Sequence, residues 1–68
     1  MPAPGNSDDG KIFIEFLVQG SVVKVTAIHP LSGTEASIMG PSGAPRATLS
    51  DAAVRKLRYV LQKKNGGG

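Results

Sequence analysis

Residues 11–29 read KIFIEFLVQGSVVKVTAIH. Ile12, Ile14, Phe16 and Val18 recur with a period of two, Val23, Val25 and Ala27 do the same, and Gly20 lies between the runs. This is the pattern of a β-hairpin. A two-residue turn at Gly20-Ser21 puts glycine at the first central position, where a type II′ turn requires positive φ. A turn at Gln19-Gly20 demands positive φ at glutamine, which a Cβ disfavours. With the first turn Gln19 faces Val22, Val18 faces Val23, Phe16 faces Val25, Ile14 faces Ala27 and Ile12 faces His29. The apolar run then falls on one side of the ladder, as a sheet with one buried side demands.

The other side carries Lys11, Phe13, Glu15 and Leu17 opposite Val22, Lys24, Thr26 and Ile28, with Glu15 near Lys24. A surface ion pair there contributes about 0 to 1 kcal/mol, enough to tune register and too little to hold a fold. Four large apolar groups, Phe13, Leu17, Val22 and Ile28, sit on what should be the wet side, and monomers rarely expose contiguous apolar patches beyond a few hundred Å². They form a candidate dimer face.

After His29, Pro30-Leu31-Ser32-Gly33 supplies turn chemistry, proline where φ near −65° is wanted and glycine where positive φ closes the turn. Residues 34–39, TEASIM, alternate again; if Ile28 faces Glu35, Ala27 faces Ala36 and Val25 faces Ile38, so a third strand extends the apolar side. Residues 40–46, GPSGAPR, hold two prolines and two glycines and read as a connector. They contain no GK pair, so a phosphate-cradling loop is unsupported. Residues 49–64 read as a helix with Ser50 as N-cap, Thr48 as a competing start, Asp51 in the first turn, basic residues in the last, and Leu49 with Val54 placed for a hydrophobic staple. Ala53, Leu57, Val60 and Leu61, beside Val54, make one stripe suited to lie across the sheet.

The expected architecture is therefore α+β, a three-stranded antiparallel meander followed by one C-terminal helix. Residues 1–10, with two prolines and no periodicity, are expected to be a disordered lead, residues 11–64 the single domain, and residues 65–68 a flexible tail. The terminal glycines resemble the tails of ubiquitin-like and sulfur carriers, but those leave a strand and this tail leaves a helix. A domain so small is marginal alone, with a core that rarely gives more than roughly 3 to 5 kcal/mol. A second copy is the expected partner, and the connector is long enough to lay the helix on either copy's sheet.

The chain of 68 residues has no cysteine and one histidine. Disulfides and thiolate zinc sites are excluded, and one histidine makes no histidine-rich metal site. No signal-like segment and no apolar run near 18 residues is present, so the expected setting is cytoplasmic, without membrane contact. No catalytic, cofactor or metal residues emerge. His29 needs an adjacent serine or carboxylate, such as Ser32, Ser37, Glu15 or Glu35, to drive a nucleophile, and otherwise flanks a turn. The formal charge of +3 is concentrated near the C-terminus. Arg55, Arg58, Tyr59 and Lys63 on the helix's outer side are a candidate nucleic-acid contact, weighed against a solvated face whose long stems shield apolar surface.

The segments IFIEF, VKVTAIHPLSGTEASIMGP and AAVRKLRYVLQKK resemble a family of small, uncharacterised alphaproteobacterial proteins carrying a domain of unknown function. The resemblance spans Ile12 to Lys64, is most specific over Val23 to Pro41, and is next most specific at Arg55 to Leu57 within the RKLRYVL helix. It implies a bacterial cytosolic setting, a complete small protein and no known activity, so no functional residue is carried over. The expected function is a non-enzymatic protein-interaction module acting as a homodimer, with nucleic-acid binding as the alternative.

Overall fold

The computed structural model describes residues 11–65; the expected lead and the terminal glycines lie outside them. Strands β1 (Phe13–Gln19), β2 (Val22–His29) and β3 (Thr34–Pro41) form an antiparallel sheet in the order β1-β2-β3, and helix α1 (Arg46–Asn65) follows. The meander and its single helix are as the alternation implies. Gln19 pairs with Val22 and Phe16 with Val25. Ile28 pairs with Glu35 and Val25 with Ile38, so both ladders keep the register read from the sequence. Gly20 has φ +64° and Ser21 is not in the positive region, which selects type II′ over type I′. The β2–β3 turn closes with Gly33 at φ +73° donating its N–H to the His29 carbonyl at 2.8 Å.

Four boundaries differ from expectation, one of them only in that α1 ends at Asn65, which the sequence assigns to the tail. β1 starts at Phe13, so Ile12 packs against the core without joining the ladder opposite His29. β3 runs through Gly40 and Pro41, which the proline and glycine content assigns to the connector. Pro41 is tolerated because its ladder partner Val22 directs its polar groups to Gln19 across the hairpin, so no N–H is required of residue 41. Gly40 leaves room for Leu49, since a Cβ there would meet Leu49 Cδ2 at 2.6 Å and the leucine would have to shift.

The third boundary is the helix start. α1 begins at Arg46, a turn before Ser50, with the Leu49 N–H reaching the Pro45 carbonyl at 3.2 Å. Pro45 therefore takes the capping position, and its fixed φ suits a helix entrance. Ser50 lies inside the helix and its hydroxyl donates back to the Ala47 carbonyl at 3.3 Å, while Asp51 falls beyond the first turn. The expected staple of Leu49 on Val54 is replaced by burial of Leu49 against the sheet.

The core comprises Val23, Val25, Ala27 and Ala36 from the sheet and Leu49, Ala53 and Leu57 from the helix. Leu57 and Val25 are its largest fully buried side chains. Val54, Val60 and Leu61 are half-buried at its margin. The helix runs antiparallel to β3, from Leu49 over Gly40 to Lys64 beside Thr34. It lies over β2 and β3. That placement leaves β1 at the margin.

Candidate interaction surface

Alternation directs Phe13, Leu17, Val22, Ile28 and Met39 to the side of the sheet away from α1. The first three of the candidate dimer face are 52%, 54% and 39% exposed, Ile28 is half-buried, and Met39 is 59% exposed. Phe13 and Ile28 are ladder partners at one end, and Leu17, Lys24 and Met39 make a row across all three strands at the other. Between them Thr26 Oγ1 and Ser37 Oγ are hydrogen-bonded at 2.9 Å. The side is thus two apolar clusters separated by a polar belt. Met39 was not assigned to the face from sequence, although its register opposite Lys24 follows from the same alternation.

Val18 behaves unexpectedly. It lies on the core side of the ladder opposite Val23, yet Val23 is 3% exposed and Val18 is 54% exposed. Ile14 and Phe16 on the same side are only half-buried. The helix passes over the other two strands, and the cover over Phe16 is the Arg46 guanidinium, 4.5 Å from the ring centroid.

The two edges of the sheet are treated differently. Along β3 the Lys56 ammonium donates to the Ser37 carbonyl at 2.8 Å, and Lys64 reaches Thr34 Oγ1 at 3.2 Å. Since the Ser37 carbonyl faces outward, its partner Thr26 must direct its polar groups to Glu15 in β1. Peptide groups alternate along a strand, so the N–H and C=O of Ile14, Phe16 and Val18 face away from β2 along the β1 edge. One lysine, on the Ser37 carbonyl, and Pro41, which has no N–H, blunt the β3 edge. The backbone of β1 lines the other.

The structure does bring His29 beside a serine: His29 Nδ1 and Ser32 Oγ are 2.7 Å apart. Ser32 Oγ accepts the Thr34 N–H at 3.2 Å and donates its proton to Thr34 Oγ1 at 2.9 Å. The histidine and serine thus belong to a hydrogen-bonded group with Thr34, in which the His29 tautomer sets the direction of the His29–Ser32 bond. Ser37 is bonded to Thr26, and Glu15 lies opposite Thr26 and Glu35 opposite Ile28, away from the histidine's Nδ1 partner. The cluster fastens the β2–β3 turn to the end of α1. Among the described residues no group of three or more histidine, cysteine or acidic side chains is placed to hold a metal ion.

Arg55, Arg58, Tyr59 and Lys63 are all exposed on α1. Lys63 Nζ lies 5.6 Å from the centroid of the Tyr59 ring, so the one aromatic of the basic face already has a cationic neighbour. Lys56 is drawn from that face to the β3 edge. Among the described residues no helix is long and apolar enough to cross a membrane.

In comparison with known proteins, residues 9–64 match a family model described as a domain of unknown function, DUF6898. No curated protein and no solved structure matches the chain.

Proposed function

We propose that this chain, which belongs to the DUF6898 family of domains of unknown function, is a non-enzymatic protein-interaction module that acts as a homodimer and offers the uncovered side of its sheet as a contact surface. The observation that carries the reading is that side itself, with Phe13, Leu17, Val22 and Met39 exposed and no element of the described chain over them. Exposed apolar groups gathered on one flat side mark association surfaces, while single scattered ones do not. The size of the core supports it as well. Two large side chains are fully buried, and a domain of this length gains from a partner.

Sedimentation equilibrium at micromolar concentration tests the homodimer. The expected mass is twice the 7.0 kDa of one chain, and a single-chain mass refutes it.

A further inference from the structure

We infer that the second copy joins along β1, edge to edge and antiparallel, so that the two sheets become one. This rests on the homodimer reading and specifies its seam.

Three kinds of uncovered surface converge on β1. Its outer side exposes Phe13 and Leu17, its inner side exposes Val18, and its edge presents the peptide groups of Ile14, Phe16 and Val18. Natural edge strands are blunted by lysine, proline, bulges or a covering element. β3 has such protection in Lys56 and Pro41. β1, FIEFLVQ, is seven residues long with one charge, no proline and no lysine. A two-fold seam uses the β1 edge of both copies and leaves the blunted β3 edges outside, so joining along β1 ends at two copies.

Charge disfavours two registers. A two-fold axis beside Glu15 sets two carboxylates opposite each other, and one beside Phe16 brings together the Arg46 guanidiniums that cover both rings. Like charges directly opposite are destabilising. With the axis beside Leu17, the leucines of the two copies meet on the outer side, Glu15 faces Gln19, and Phe16 exchanges both peptide hydrogen bonds with Val18 of the other copy. The phenyl ring then packs beside the valine that its own helix leaves exposed. The outer sides of both copies continue into each other across the seam.

Val18→Pro tests the seam without touching the internal ladder, because that N–H faces outward. The expected result is a halved mass with an unchanged far-ultraviolet circular dichroism spectrum, while Val22→Lys, on the outer side of β2 and off the seam, remains dimeric. A dimeric Val18→Pro protein, or a monomeric Val22→Lys protein that keeps its fold, overturns the edge seam and leaves the homodimer standing. A second measurement does not depend on the proline variant folding. The chain has no cysteine, and directly opposed residues outside the hydrogen-bonded pairs have Cα atoms about 4.5 Å apart, within disulfide range. Leu17→Cys should therefore crosslink nearly completely on mild oxidation and Val22→Cys should not. A Leu17→Cys protein that sediments as a dimer but stays uncrosslinked refutes the seam.

Discussion

Truncating Leu57 to alanine tests the packing of the whole molecule. Leu57 has no exposed surface and is one of the two largest fully buried side chains. The change removes the equivalent of about three methylene groups at about 0.8 kcal/mol each, or roughly 2.4 kcal/mol of transfer free energy. A cavity contribution adds to this. Half of the other core residues, Ala27, Ala36 and Ala53, are too short to reach into the space, and Val23, Val25 and Ala27 are held by two ladders, so the site collapses only in part. A total of about 3 to 4 kcal/mol follows, within the usual 2 to 5 for such truncations. At 0.05 to 0.15 kcal/mol per residue, residues 11–65 have a stability of roughly 3 to 8 kcal/mol. The variant is expected to lose a large share of that stability, and to unfold if the parent lies at the low end of the range. Urea titration followed by far-ultraviolet circular dichroism, at one fixed protein concentration because association contributes to stability, should show the midpoint falling by about a third or more. Arg58→Ala, on the exposed side of α1, is the control and should stay within about 0.5 kcal/mol of the parent. An unchanged midpoint for Leu57→Ala means that this face of α1 is not the one on the sheet.

Gly40→Ala should destabilise by about 1 to 2 kcal/mol in the same titration, because the new Cβ at 2.6 Å from Leu49 Cδ2 forces a buried side chain aside; equal or greater stability means that Leu49 does not rest on Gly40. With generic DNA or RNA at about 50 mM salt, where phosphate contacts are strongest, no mobility shift is expected. A shift that weakens steeply as salt rises transfers the function to Arg55, Arg58, Tyr59 and Lys63.

The hairpin and the third strand were legible because alternation sets which side is buried, and a slip of one residue inverts every side chain. Glycine at 20 and 33 then had to supply positive φ, as both do. Local chemistry misled where packing overruled it. Ser50 and Asp51 carry strong helix-start preferences, yet the start at Pro45 brings Leu49 into the first turn, where it is buried. Forming one more turn and burying a leucine outweighs a side-chain cap that contributes about 1 kcal/mol. Gly40 and Pro41 looked like the end of regular structure because their effect on a ladder depends on which way each peptide points, and that is known only after pairing.

The placement of the helix was the least legible feature, although a signal for it exists. A helix comes closest to a sheet over small residues. The core side of β2 and β3 has Ala27, Ala36 and Gly40 among larger groups, and α1 answers with Ala53. The same side of β1 offers Ile14, Phe16 and Val18, with no small residue among them. Close approach is therefore available over β2 and β3 and refused over β1, and the helix settles where its backbone can come near. The stripe of Ala53, Leu57, Val60 and Leu61 identified the helix face but not the strands it would meet. Reading the sheet's side-chain sizes across the ladder, rather than along each strand, separates them. The bulk that keeps α1 off β1 is also what leaves that strand uncovered, so the exposure of Val18 is a consequence of how the core packs.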